Sequence, residues 1–135
     1  MDDAAAKRLG KSSAGAADLD RTTRLKERLE GLLRETAEVQ VELCRADGTI
    51  KGIPHYSVIE GQAHELGKQL SREFQQRQMN ELVASQAPSA KCPSCGTRCE
   101  LHPYKRDVKS IDGEVPLQES VGHCPCCRRD FFPSA

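Results

Sequence analysis

Two short segments of the chain, Cys92-Pro93-Ser94-Cys95-Gly96 and Cys124-Pro125-Cys126-Cys127, carry the same C-x-x-C spacing, each with proline after its first cysteine. A turn of this length aims two thiolates at one ion and leaves backbone N–H groups free to hydrogen-bond the sulfurs. Two such turns complete a tetrahedral site, so Cys92, Cys95, Cys124 and Cys127 are the expected ligands and Zn2+ the expected cofactor. Cys99, four residues after Cys95, and Cys126, inside the second turn, are available as substitute ligands, as are His102 and His123. Cys124 to Cys126 is too short a loop to match the first turn, which favours Cys127. Neither pair opens a helix after a strand, as a thioredoxin-like redox pair would. Metal binding, on the order of 10 to 16 kcal/mol, is then the main folding term for this part of the chain.

Other chemistry finds less support. His64-Glu65 would begin a zinc-protease motif, but the position four after His64 is Lys68. His55 and His64 read as surface or helix-start residues. Four thiolates around one ion leave no open position for water, so no catalytic residue and no enzyme activity are expected.

The elements that must position the cysteines follow from periodicity. Residues 1 to 20 are small, polar and aperiodic and read as a disordered leader. Leu25, Leu29, Leu32 and Leu33 recur at helical spacing, with Asp20 or Thr23 as a cap, and predict a short helix over 21 to 36. Val39, Val41 and Leu43 then alternate with Gln40, Glu42 and Cys44, and Asp47-Gly48 offers a turn before Ile50 and Ile53, which predicts a β-hairpin. Cys44 falls on the polar face of its first strand as an incidental small residue. Ser57 and Glu60 form a capping box for a long helix running to about Ala84. Its apolar stripe is Ile59, Ala63, Leu66, Leu70 and Phe74, continued less regularly by Leu82 and Val83. The helix is too long to be buried along its length, so the stripe is expected to meet the first helix, the hairpin or a second copy of the chain.

Residues 85 to 90, "SQAPSA", read as a linker, and 91 to 135 as a zinc ribbon with one hairpin around Asp112-Gly113, flanked by Val108, Ile111, Val115 and Leu117. The fold class is therefore α+β: disordered leader 1–20, helix, hairpin and long helix over 21–84, linker 85–90, small β domain 91–135.

Bulk composition sets the limits. Aromatic residues are 4% of the chain and Trp is absent, which leaves little material for an apolar core and gives weight to the 7 cysteines as a substitute. An odd number of clustered thiols suits metal in a reducing cytoplasm better than disulfides. No apolar run is long enough to span a bilayer, and the start of the chain lacks a signal-peptide core. The formal net charge is +0, so a nucleic-acid contact must rest on local patches.

The order of a C-x-x-C turn, "DGEV", a second C-x-x-C and "RRDFFPSA" resembles the zinc-ribbon head of bacterial insertion-sequence transposases of the ISKra type and their relatives. "PHYSVIEGQAHELGKQLSREFQ" is similar to the helical region before that ribbon, so the resemblance covers roughly residues 54 to 135. It implies that Cys92, Cys95, Cys124 and Cys127 carry the metal. Such transposases continue into a carboxylate-rich catalytic domain, whereas this sequence stops at Ala135, so a detached or truncated product without nuclease activity is expected.

Two functions follow as expectations. In the first, Lys105, Arg106, Lys109, Arg128 and Arg129 line one face and contact DNA phosphates. In the second, the module is zinc-stabilised and binds protein, with the long helix self-associating and Phe131 and Phe132 docking. Phe131 and Phe132 otherwise serve as apolar anchors for a following domain, or pack back on the ribbon or helices. Neither reading involves a membrane or a small-molecule substrate.

Overall fold

The computed structural model describes residues 12 to 133, with side chains from residue 15. It is an α+β protein: helices α1 (Ser12–Ala46) and α2 (Tyr56–Ser85) precede strands β1 (Ser89–Lys91), β2 (Arg98–Ser110), β3 (Gly113–Cys124) and β4 (Arg129–Phe131). The described residues divide into two compact units after Pro54.

The first unit corrects the sequence expectation most. Instead of a short helix over 21 to 36 and a β-hairpin, one helix runs unbroken to Ala46. Residues 12 to 20, expected as part of a disordered leader, are its first turns, while residues 1 to 11 lie outside the described residues. Val39 and Leu43 satisfy a period of two, but being four apart they also share one helix face, and the described residues of the first unit hold no partner strand to favour the extended form. Asp47-Gly48 is a turn, although it ends a helix rather than joining strands. Gly48 takes φ 74°, where a side chain would strain the backbone. The Asp47 amide donates to Leu43 O at 2.9 Å and the Thr49 amide to Asp47 Oδ1 at 2.8 Å. Cys44, placed by sequence on the polar face of a strand, is buried in the last turns of the helix, where Gln40 Nε2 donates to its sulfur at 3.4 Å.

In the second unit α2 starts one residue before Ser57, and the cap is His55 rather than a Ser57–Glu60 box. His55 Nδ1 accepts from the Ser57 amide at 3.2 Å and lies 2.8 Å from its hydroxyl. The helix lies along β3. Its predicted apolar stripe is not the face turned to the sheet: Ile59, Leu70 and Phe74 are exposed, while Ser71, Arg72, Gln75 and Met79 are half-buried. Polar contacts explain the choice. Ser71 Oγ donates to Asp112 Oδ2 at 2.6 Å, Arg72 Nη1 to Asp112 O at 2.8 Å, and Gln75 Nε2 to Ser110 Oγ at 3.4 Å. The helix is thus tied to the tip of the β2–β3 hairpin.

That hairpin is the main body of the sheet, whose strand order is β1-β2-β3-β4, all neighbours antiparallel. Ser110 pairs with Gly113, so the loop residues are Ile111 and Asp112, one position earlier than expected. Ser89 and Ala90, expected in a linker, pair with Glu100 and Cys99 as part of β1. The buried cluster of this unit is small and sulfur-rich: Cys92, Cys99, Cys124 and Phe131, flanked by Ala90, Leu101 and Cys127. Val115, opposite Val108, is buried separately.

Phe131 reaches its place because its register partner is Gly122. A Cβ on Gly122 would lie 2.6 Å from Phe131 Cζ, well inside contact distance. Gly122→Ala should therefore push the ring off the cysteines and lower unfolding free energy by about 1–3 kcal/mol. Denaturant unfolding checks this, and wild-type stability in the variant would show that the ring is not packed there.

Candidate metal centre

The two C-x-x-C segments fold into matching turns. In the first, the Gly96 amide donates to Cys92 O at 2.9 Å, and in the second the Arg128 amide donates to Cys124 O at 2.8 Å. The residue after each second cysteine must turn left-handed to let the chain leave. Gly96 does so at φ 75°, and Arg128 does so at φ 54° despite its side chain. A non-glycine residue held there carries a cost on the order of 1 kcal/mol, which the surrounding turn must offset.

These turns bring four sulfurs together. The Sγ atoms of Cys92, Cys95, Cys124 and Cys127 all lie within 4.8 Å of one another, with Cys92–Cys127 at 3.9 Å and Cys95–Cys124 at 3.4 Å. Four sulfurs at about 2.3 Å from a central ion stand about 3.8 Å apart in a tetrahedron, so the spacing suits a metal ion. Because β1 leads into the first turn and β3 into the second, an ion here would join both edges of the β2–β3 hairpin.

The group also has the electrostatics of a cation site. Backbone amides of Cys95 and Ser94 hold the Cys92 thiol below its ordinary range, and the hydroxyl and then the amide of Thr97 bring Cys95 down to about 6. Cys127 moves the other way, to about 12, chiefly because it faces Cys95 and is partly desolvated. Four thiolates cannot share this volume without positive charge between them. Thr97 was not singled out by spacing, yet its hydroxyl sits 3.1 Å from Cys95 Sγ and 3.7 Å from Cys126 Sγ. Only its position two after Cys95 could have pointed to it.

The remaining sequence candidates separate from the centre. Cys126 is exposed on the outside of its turn, and Cys99 is buried with its thiol donating to Thr97 O at 3.4 Å. His123 pairs with Asp130 at 2.7 Å on the surface, and His102 is exposed on β2. None of the four belongs to the converging group. Phe131, whose role spacing left open, packs back onto the sheet beside the cysteines. Phe132 stays half-exposed, 6.2 Å from the Tyr104 ring and with the Arg106 guanidinium 5.3 Å from its centroid.

The five basic residues expected to form one face do not form one. Arg106 is held by Glu119 through two contacts of 2.9 Å, which also raise its pKa. It follows Lys105 in the strand and so points to the opposite side of the sheet. Lys105 and Lys109 share a side, while Arg128 and Arg129 are exposed beside the second turn. No family model, curated protein or solved structure matches this chain.

Proton release offers a check on the centre. Coordination needs thiolates, and Cys127 begins fully protonated at neutral pH, so metal uptake should expel protons. Affinity should fall as pH drops, and fall fastest below about 6, where Cys95 also gains its proton. Calorimetric titration in buffers of different ionisation enthalpy measures the count. Uptake without proton release would mean that these thiols are not the ligands.

Proposed function

We propose that this protein is a zinc-binding, non-catalytic module in which the ion replaces most of an apolar core and the surfaces it fixes serve a macromolecular partner. The convergence of the Cys92, Cys95, Cys124 and Cys127 sulfurs within 4.8 Å supports this most directly. Zinc suits a set of four thiolates with tetrahedral spacing, and such a set, being closed, leaves no position for a reacting water. The matched turns supply amide donors for sulfur, the usual means of spreading the charge of a thiolate centre.

A second reading, that the module is the DNA-binding region of a transposase-like protein, draws on the resemblance in motif order and on the free basic side chains. Arg128 and Arg129 sit beside the second cysteine turn, and Lys105 and Lys109 lie on one side of β2. These four are the phosphate contacts that this reading requires. Arg106, engaged by Glu119 and Phe132, is assigned to the sheet instead.

One measurement tests the zinc premise that both readings share, and a second separates them. Chelation should abolish the β-strand amide signals of residues 89–131, and one equivalent of zinc should restore them. Sheet signals that survive complete chelation would refute the structural role of the ion. For DNA, log affinity should fall with log salt at a slope of about −0.9 per phosphate contact, and Arg128→Ala with Arg129→Ala should shrink that slope by about two contacts while Arg106→Ala leaves it unchanged. Absence of binding at low salt would leave only the protein-partner reading.

A further inference from the structure

Among the described residues, the first unit offers α1 no second helix or strand to pack against. A lone amphipathic helix of this length gains most of its stability from burying its apolar face. Leu25, Leu29, Leu32, Val39 and Leu43 are between 47% and 59% exposed. Their spacing is more regular than an amphipathic face requires. Leu25, Leu29, Leu32, Thr36, Val39, Leu43 and Ala46 alternate steps of four and three, the heptad pattern of a coiled-coil seam. Leu25, Leu32, Val39 and Ala46 take the d positions, and Leu29, Thr36 and Leu43 the a positions, with Thr22 one heptad earlier.

The two threonines are prepared for burial. Thr36 Oγ1 donates to Leu32 O at 2.7 Å and Thr22 Oγ1 to Asp18 O at 2.9 Å, so neither hydroxyl needs a partner across a seam. The ion pairs of the helix, Asp20 with Arg24 and Glu30 with Arg34, use positions away from the seam. Beside the seam, the g positions divide by sign: Arg21 and Arg28 in the first half, Glu35 and Glu42 in the second.

That division identifies the occupant. We propose that α1 pairs with α1 of a second copy of this chain as an antiparallel coiled coil centred between Leu29 and Leu32. In this register Leu29 faces Leu32 of the other copy, Leu25 faces Thr36 and Thr22 faces Val39. Arg28 then meets Glu35 and Arg21 meets Glu42, each twice by symmetry, and the helices overlap from residue 15 to residue 46. Asp18 falls in an outer layer near the helix end, where it stays solvated. A shift by one heptad would set Glu35 against its own copy. A parallel pair would set Arg21 against Lys26 and Glu42 against Asp47, with no attractive pair in exchange. Burial of a polar α2 face against the sheet leaves a second apolar stripe at Ile59, Leu70 and Phe74, but Glu73 and Arg77 interrupt its heptads, so it offers a poorer match to α1.

Sedimentation equilibrium of the full chain with zinc tests this. The wild type should dimerise, and Leu29→Glu with Leu32→Glu should yield a monomer that retains its metal content, weakening association by at least about a hundredfold. Arg21→Glu with Arg28→Glu should weaken it about tenfold, and adding Glu35→Arg with Glu42→Arg should restore it. A monomeric wild type, including one whose α1 folds back on its own α2, overturns the proposal. So does a dimer indifferent to the leucine changes, or one tightened by Arg21→Glu with Arg28→Glu, which would signal a parallel pair. Metal retention in each variant separates a failure of this interface from a failure of the zinc-binding reading.

Discussion

The cysteine end of the second unit is organised around four sulfurs that repel one another once ionised. Cys92, Cys95, Cys124 and Cys127 are held within 4.8 Å by matching turns, and thiolates so close are tolerable only around a cation. The opposed shifts of Cys95 and Cys127 express that conflict within a single cluster. An ion held there would resolve it and would tie together two segments separated by almost thirty residues. A sheet whose buried apolar residues are Val115, Phe131 and three cysteines has little else to fix its far end. Phe131 completes the arrangement by lying on Gly122 beside the sulfurs, where a larger residue than glycine would exclude it.

The hairpin is secured at both ends by different means. At the cysteine end Phe131 packs with the cysteines, and an ion among their sulfurs would link β1, β3 and β4. At the other end α2 grips the Ile111–Asp112 loop through Ser71, Arg72 and Gln75. Between them, Arg106 and Glu119 pair across the strands with Phe132 above. The division explains how a sheet with strands of 13 and 12 residues persists with so few buried side chains. It also explains why α2 turns a polar face inward, since its partners there are a carbonyl, a carboxylate and a hydroxyl rather than an apolar surface.

What could be read from the sequence follows the range of the interaction. The cysteine pairs are local, four residues each, and their repetition named the four converging residues directly. The Asp112-Gly113 hairpin and the extent of α2 were legible for the same reason. The β-hairpin expected around Asp47-Gly48 was not there because Val39 and Leu43 fit two periodicities at once, and the described residues of the first unit hold no strand that would favour the extended one. Thr97 beside Cys95 is a local contact with no motif to mark it, whereas Phe131 on Gly122 and Arg106 on Glu119 depend on strand register across the sheet, which spacing along one chain does not encode. The unity of the basic residues failed on the same point, since adjacent strand positions face opposite ways.

The most direct test of the account is the coordination sphere itself. X-ray absorption at the zinc edge of the purified protein, with metal content measured on the same sample, should show one ion per chain and four sulfur neighbours at about 2.3 Å. A sphere containing nitrogen or oxygen, or a protein that carries no stoichiometric metal, would contradict the claim that Cys92, Cys95, Cys124 and Cys127 together form a closed centre.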